Sequence, residues 1–374
     1  MDGVKNLWRA ALLSVALSVP VAACAQTLQV SQTLQVAPAI KVQAGSESLP
    51  LHVGGRVQQR GGAYLSQWPG AYFETAFSGR EVFFRTGEDD VHLRVTVDGQ
   101  AVSVLRPGQG LHRIGGLADG DHRLRIEIVS ENQTAPVSFE GVLGLPARAM
   151  VVDPRARQIE FIGDSHTVGY ANTTSVRDCS DETVWETTDT GAGIAGVLAR
   201  RYDADYQVNA ISGRGVVRNY GGMARDTLPQ AYPFTLFDKQ VWYADAAWRP
   251  QVIVVALGTN DFSTELTPDE RWKSREALTE DYEIAYAAFL RGLRLRSPDA
   301  RIVAWGAEGS EMAVASQRVV GRLRAEGDAR IVFAPVAAMG LAACHWHPDL
   351  ADDRAVAATI AAVLDGDGDL WVDR

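Results

Sequence analysis

Residues 159–169 constrain the fold more than any other stretch of this sequence. They open with a short run of large apolar residues, which is typical of a buried strand, and the run breaks at Gly163-Asp164-Ser165. The glycine permits a sharp turn, and Asp164 or Ser165 can cap a helix that follows. A serine at such a strand-to-helix turn has an exposed hydroxyl, and its backbone N–H faces the place where an anion would bind. We therefore predict that Ser165 is a nucleophile.

Four further apolar runs predict buried strands, with helical patterns between them. They lie at residues 206–210, 252–257, 301–305 and 330–334. Alternating strands and helices predict a parallel sheet with right-handed crossovers, and ligands bind at the edge where the carboxyl ends of such strands lie. The polar segments that follow the strands can therefore bring four distant residues together: Ser165, Gly213, Asn260 and His347.

The same residues resemble the four-block pattern of the SGNH (GDSL) hydrolase superfamily in their order and spacing. The blocks are Gly163-Asp164-Ser165-His166-Thr167, Gly213, Gly258-Thr259-Asn260-Asp261 and His347-Pro348, and the resemblance covers residues 159–364. It implies a three-layer α/β/α domain with a five-stranded parallel sheet. It also implies that Ser165 is the nucleophile and His347 the base. The implied oxyanion hole consists of Ser165, Gly213 and Asn260, and no cofactor is expected for this chemistry.

Short alternating runs between turn signals fill residues 37–147, without a long helical period. Asp98-Gly99 is a strong signal for a hairpin turn. The pattern predicts a β-sandwich, in the form of a jelly roll. Three aromatic residues of this region can either line a sugar-binding face or pack in the core: Trp68, Tyr72 and Phe73.

This upstream β-domain, together with the sequence Cys344-His345-Trp346-His347-Pro348, resembles carbohydrate esterase family two. Members of that family join a jelly-roll domain to an SGNH domain and remove acetyl groups from xylan, glucomannan and related polysaccharides. The resemblance implies a serine esterase that acts through an acetyl-Ser165 intermediate. Two alternatives stay open: an esterase of lipase or thioesterase type acting on small acyl substrates, and a glycan-binding protein without catalytic activity. The identity of the glycan and of the acetylated hydroxyl is also left open.

The histidine block departs from the superfamily pattern. Most members carry an aspartate three residues before the histidine, and here that position holds Cys344. We therefore expect a dyad of Ser165 and His347 in which a backbone carbonyl orients the ring, and a carboxylate such as Asp349 is the alternative. Trp346 is the aromatic residue that we expect to stack on a sugar ring, with core packing as its alternative.

Cysteine usage bears on disulfides and on metal binding. The sequence has three cysteines, and only Cys179 and Cys344 would remain in the body of an exported protein. An even number in an oxidising compartment suggests a disulfide, with two separate buried thiols as the alternative. Cys344, His345 and His347 together resemble zinc ligands, but a structural zinc site needs four ligands and a second dense Cys/His pair is missing. We predict no metal.

The N-terminus has the features of a bacterial secretory signal. Lys5 and Arg9 precede an apolar run, residues 10–23, that is too short to span a bilayer and is followed by small residues. Cleavage before Gln26 fits this pattern, and so does a lipobox that would make Cys24 a lipidated N-terminus. The expected organisation is a signal peptide (1–25), a linker (26–36), the β-sandwich (37–147) and the hydrolase domain (148–374).

Size and charge limit the class of partner. A chain of 374 residues is long enough for two domains, and a net charge of −10 with a pI near 5.3 argues against a nucleic-acid partner. The expected partner is an acetylated polysaccharide or oligosaccharide, met in the periplasm, at the outer membrane or outside the cell. Contact with a membrane is expected only through a lipid anchor, and the oligomeric state is left open.

Overall fold

Two hydrogen-bonded sheets organise the part of the chain that the computed structural model describes, which is residues 34–368, 370 and 371. The predicted signal peptide and residues 26–33 of the predicted linker lie outside the described residues. No helix within the described residues is both long and apolar enough to cross a membrane.

The first sheet contains eleven antiparallel strands, and the predicted β-rich sandwich domain is confirmed. The strands are β1 Gln35–Pro38, β2 Glu47–Ser48, β3 His52–Gly54, β4 Val57–Arg60, β5 Ala63–Ser66, β6 Tyr72–Thr86, β7 Leu93–Val97, β8 Gln100–Leu105, β9 Gly110–Gly115, β10 Asp121–Ile128 and β11 Val137–Pro146. Gln35 and Val36, which we assigned to the linker, pair with β9 and so belong to the sheet. Asp98-Gly99 joins β7 to β8 with positive φ at both residues (52° and 77°), as a tight hairpin turn requires.

The long strand β6 pairs with four other strands of this sheet: β3, β9, β10 and β11. Its residues Phe73, Phe77 and Phe84 are fully buried in one apolar core. Phe139 of β11 belongs to the same core and stacks on Phe73, with 4.1 Å between ring centroids. Phe73 is therefore a core residue rather than part of a sugar-binding face.

The second sheet has five parallel strands in the order β13-β12-β14-β15-β16, and the predicted five-stranded parallel sheet is confirmed. The strands are β12 Arg157–Gly163, β13 Ala204–Ala210, β14 Val252–Ala256, β15 Arg301–Ala307 and β16 Ile331–Val336. The helices are α1 Ser165–Val168, α2 Asp181–Thr187, α3 Ile194–Tyr202, α4 Leu228–Ala231, α5 Thr259–Phe262, α6 Arg275–Arg296, α7 Glu311–Ala325 and α8 Leu350–Asp365. Short 3₁₀ turns at Tyr220–Gly222 and Cys344–Trp346 lie in the loops.

Helices cover both faces of this sheet, which explains why its strands read as continuous apolar runs. In the central strand β14, Ile253 and Val255 pack in the core that contains α6 and α7. Val252 and Val254 point the other way and pack in the core that contains α3 and α8. The result is the predicted three-layer arrangement.

The β-domain packs against the α/β domain, which contains the parallel sheet, through buried polar contacts. Trp68 lies in the core of the α/β domain, and its indole N–H donates to the carbonyl of Phe234 at 3.2 Å. The Tyr72 hydroxyl donates to Asp205 at 2.6 Å. Arg56 is fully buried and donates to the Glu160 carboxylate at 3.3 Å. Trp68 and Tyr72 therefore bind the two domains together, and neither lines a sugar-binding face.

Candidate active site

Ser165 stands at the turn between β12 and α1. The side chain of Asp164 caps the helix by accepting the N–H of His166 at 3.1 Å, so the capping residue is the aspartate. A Cβ at Gly163 would lie 2.1 Å from the Thr167 hydroxyl and 2.6 Å from the carbonyl of Ala256, so only glycine fits before the cap. The turn delivers the Ser165 Oγ to a point 2.9 Å from the Nε2 of His347.

A backbone carbonyl orients the ring of His347. Its Nδ1 lies 2.9 Å from the carbonyl oxygen of Cys344 and 3.2 Å from that of His345. Because a carbonyl can only accept, Nδ1 carries a proton, and in the neutral ring Nε2 is free to accept the proton of Ser165. Asp349 instead caps α8 by accepting the N–H groups of Ala351 and Asp352, so the alternative of a carboxylate partner does not apply to it.

The surroundings of His347 favour the neutral ring. Tyr170 stacks on the imidazole with 4.1 Å between ring centroids, and His166 approaches edge-on at 5.5 Å. Burial, reinforced by repulsion from His166, lowers the pKa of His347 to about 3. The imidazole is therefore neutral at physiological pH, which is the state that a general base requires.

The predicted oxyanion residues border the same cavity as the serine and the histidine. This cavity has a volume of about 320 Å³ and is lined by Ser165, Tyr170, Ser212, Gly213, Tyr220, Asn260, His345 and His347. Gly213 has a φ of 79°, a backbone conformation that favours glycine. One N–H of the Asn260 amide donates to the carbonyl of Arg214 at 2.9 Å, and this bond fixes the plane of the amide.

A buried carboxylate holds the loop that follows Gly213. Asp261 accepts the N–H groups of Val216, Val217 and Arg218 at 2.8 to 2.9 Å. A Cβ at Gly215 would lie 2.3 Å from this carboxylate, so glycine allows the close approach. Burial raises the pKa of Asp261 to about 7. In the sequence, Asp261 was identified only as the last residue of the block Gly258-Thr259-Asn260-Asp261, and no separate role was predicted for it.

The structure resolves the positions of several aromatic side chains near the cavity that the sequence left open or did not single out. Trp346 is 63% exposed, which rules out core packing, and it does not line the cavity itself. His345 lies exposed in the loop before α8, where it also lines the cavity, and its Nδ1 lies 3.0 Å from the Tyr170 hydroxyl. Tyr220 lines the cavity and is 57% exposed, and no sequence pattern singled it out. Tyr170 could have been suspected from its place shortly after Ser165 in the sequence.

A disulfide joins Cys179 to Cys344 and so links the loop after α1 to the loop that carries His347. The backbone N–H of His345 donates to the carbonyl of Arg177 at 2.8 Å across the same junction. Because its sulfur is in this bond, Cys344 is not available as a zinc ligand.

Among the residues that the structure describes, a group of metal-ligand type lies at the domain interface, formed by His52, Glu74 and Asp205. Arg155 donates to the Glu74 carboxylate at 2.8 and 2.9 Å and to Asp205 at 2.9 Å. Arg125 donates to Glu74 as well, at 3.0 Å. Two guanidinium groups thus already neutralise these carboxylates, so the group is an ion-pair network that joins the domains and does not fit a metal ion.

Both parts of the chain match known protein families. Residues 53–150 match the family described as carbohydrate esterase 2 N-terminal. Residues 161–374 match the GDSL-like lipase/acylhydrolase family. An acetylxylan esterase / glucomannan deacetylase of Cellvibrio japonicus (strain Ueda107) is 39% identical over 336 residues, which cover 87% of this chain and 93% of that protein.

Solved structures agree with the sequence matches. A carbohydrate esterase whose active site displays divergent catalytic and non-catalytic binding functions superposes with a TM-score of 0.82 at 37% identity, over 87% of this chain and all (100%) of that one. A family two carbohydrate esterase from Clostridium thermocellum, solved in complex with cellohexaose, gives a TM-score of 0.74 at 25% identity, over 86% of this chain and 100% of that one. On its fold, its domain order and these relatives, this chain belongs to carbohydrate esterase family two and is a carboxylic ester hydrolase of the acetylxylan esterase type.

Proposed function

We propose that this chain is an exported serine esterase that removes acetyl groups from xylan, glucomannan or a related polysaccharide or oligosaccharide. The observation that carries the proposal is the hydrogen bond of 2.9 Å between Ser165 Oγ and His347 Nε2 at the wall of an open cavity. The name of the Cellvibrio japonicus relative, acetylxylan esterase / glucomannan deacetylase, supports this choice of substrate class.

In the proposed mechanism, the Nε2 of His347 accepts the hydroxyl proton of Ser165 while Oγ attacks the acetyl carbonyl. The developing oxyanion would lie among the N–H of Ser165, the N–H of Gly213 and the side-chain amide of Asn260. His347 then gives its proton to the departing sugar oxygen, and an acetyl-Ser165 ester remains. Water, activated by the same imidazole, hydrolyses this ester and frees the serine.

The cavity suits a small acyl group on a large polar alcohol. Its volume of about 320 Å³ is modest, and its lining residues are polar, aromatic or glycine. A long acyl chain would need an apolar channel, since each methylene removed from water contributes about 0.8 kcal/mol of binding. Two exposed aromatic rings, Tyr220 on the wall and Trp346 beside the lining histidines, offer faces on which sugar rings can stack. The related esterase solved with cellohexaose supports an oligosaccharide partner.

The test is acetate release from acetylated xylan and acetylated glucomannan, alongside p-nitrophenyl esters of increasing chain length. We expect release from the glycans, a preference for acetate among the model esters, and no release by Ser165→Ala. A preference for long acyl chains would support the lipase-type alternative. Glycan binding without hydrolysis that depends on Ser165 would support a non-catalytic binding protein.

Export is part of the proposal and is tested separately, because the segment concerned lies outside the described residues. Expression in a bacterium followed by N-terminal analysis of the mature protein distinguishes the two processing routes. A free N-terminus at Gln26 indicates cleavage and soluble secretion, a lipid-modified Cys24 indicates a lipoprotein, and an unprocessed chain in the cytoplasm contradicts export.

A further inference from the structure

One loop of the β-domain reaches across the domain interface to the wall of the active-site cavity. It connects β10 to β11 and contains Glu131 and Gln133. The N–H of Ser212 donates to Glu131 Oε1 at 2.7 Å, and the Gln133 side-chain amide donates to the carbonyl of Ser212 at 3.2 Å. Both backbone polar groups of Ser212, a residue that lines the cavity, are therefore paired with the other domain.

The peptide that Gln133 holds is the one that carries the proposed oxyanion donor. The carbonyl of Ser212 and the N–H of Gly213 belong to a single planar trans peptide, in which they point in opposite directions. A hydrogen bond that fixes the carbonyl therefore also fixes the direction of the N–H. Gly213 itself supplies little restraint, since glycine populates positive and negative φ about equally and its φ here is 79°.

We propose that Gln133 and Glu131 are positioning residues that aim the Gly213 N–H at the oxyanion, so that the β-domain completes the active site. This inference rests on the proposed function, because it needs Gly213 to be an oxyanion donor. On the other side of Gly213, its carbonyl accepts the N–H of Tyr220 at 2.9 Å. Hydrogen bonds therefore fix the peptide groups on both sides of Gly213, and one of these bonds comes from the β-domain.

Further hydrogen bonds fix the side chain and the backbone of Gln133 within the loop. The Gln133 amide nitrogen also donates to Glu131 Oε1 at 3.1 Å, so both of its contacts are to acceptors and its orientation is unambiguous. The backbone carbonyl of Gln133 accepts from the side chain of Gln67 at 3.2 Å, and Gln67 in turn accepts the N–H of Phe237 in the hydrolase domain at 2.9 Å. The contact with Ser212 is therefore part of a bridge that spans the interface.

The experiment measures kcat and KM for acetate release by Gln133→Met and Gln133→Glu. The first variant keeps a similar length without an N–H donor, and the second places an acceptor against the Ser212 carbonyl and Glu131. Thr134→Ala, an exposed neighbour in the same loop, is the matched control. We expect kcat to fall at least tenfold in both variants while KM changes less than threefold. The loss should stay below that of Asn260→Ala, since the donor is misdirected rather than removed.

Two further measurements separate the possible outcomes. Melting temperature shows whether a variant is folded, and the Kd of a deacetylated oligosaccharide shows whether the binding surface is intact. A kcat within twofold of Thr134→Ala in the folded Gln133→Met variant overturns the inference, and so does a loss confined to KM. If Ser165→Ala still releases acetate, the proposed function itself fails. Normal turnover by the Gln133 variants would overturn only the positioning role of Gln133.

Discussion

The Nε2 of His347 lies 2.9 Å from the Oγ of Ser165, although 182 positions of sequence separate the two residues. The parallel sheet explains this proximity, because Ser165 directly follows β12 and the loop after β16 leads to His347 at the same edge. No carboxylate is needed to hold the ring, since the carbonyl of Cys344 binds its Nδ1 at 2.9 Å. The pair can act as a dyad whose tautomer is set by the main chain.

Activity is expected to persist in acid. The ring of His347 must be neutral to accept a proton, and burial together with His166 lowers its pKa to about 3. The fraction of active enzyme should therefore fall only when the pH falls well below 6.5, the usual pKa of histidine. A pH profile of kcat/KM for a soluble acetyl ester checks this expectation. An acidic limb centred near 6.5, with the protein still folded, would contradict it.

Asn260→Ala should lower kcat at least a hundredfold. Loss of one oxyanion donor typically removes about 3–4 kcal/mol of transition-state stabilisation. The substitution also removes the bond from the amide to the Arg214 carbonyl, so circular dichroism and the melting temperature must accompany the kinetics. Asn260→Asp is the matched comparison, because it keeps the shape of the side chain but has no N–H. Turnover near that of the wild type in either variant would exclude Asn260 from the oxyanion hole.

The sequence predicted those features that depend on local backbone chemistry and on the order of elements. The close contacts of Gly163 leave room only for glycine, and Asp164 caps α1. Both residue types are typical of such a turn, so the turn before Ser165 could be predicted from the sequence. The five-stranded sheet follows from the alternation of apolar and helical runs.

Contacts between the two domains were not predictable in the same way. No role was predicted for Gln133 from the sequence, and nothing in its spacing indicates that its side chain meets Ser212 in another domain. Trp346 shows the same limit, since an aromatic residue next to His347 could be buried or exposed, and only the packing of the 3₁₀ turn decides. Such contacts depend on how the two domains dock, and a hydrophobic pattern carries no signal for that.

The ion-pair network at the domain interface should make stability depend on pH below about 4. Burial by itself would raise the pKa of Asp205, but hydrogen bonds from His52 and Tyr72 outweigh it and hold the pKa at about 2. A carboxylate with a depressed pKa stabilises the fold above its unfolded pKa of about 3.9, and the contribution is lost as the pH falls toward the folded value. Free energies of unfolding measured at pH values from about 2 to about 6 test this predicted loss of stability in acid.

Arg155→Met isolates the contribution of that network. The substitution leaves Glu74 and Asp205 without the guanidinium that binds both, and breaking a buried ion pair typically costs about 3–5 kcal/mol. We expect a lower melting temperature and a weaker dependence of stability on acid pH than in the wild type. Arg318→Met, which breaks an ion pair with Glu283 in which the arginine is half exposed, is the control and should change stability by less than about 1 kcal/mol. Equal losses of stability in Arg155→Met and Arg318→Met would show that the ion pairs at the domain interface stabilise the fold no more than an exposed ion pair does.

Reduction of the disulfide should impair turnover as well as stability. Cys344 provides the carbonyl that orients His347, and its sulfur bond to Cys179 ties this segment to the loop that follows α1. Replacing both cysteines by alanine should lower the free energy of unfolding by about 2–5 kcal/mol, the usual cost of losing a native disulfide. The kcat should fall as well, because the histidine loop gains freedom and the ring is less often held against Ser165. Treating the wild type with a reductant should reproduce both effects, and the double variant should be insensitive to it. Unchanged kcat and melting temperature in wild-type protein whose thiols are shown by labelling to be free would refute this coupling.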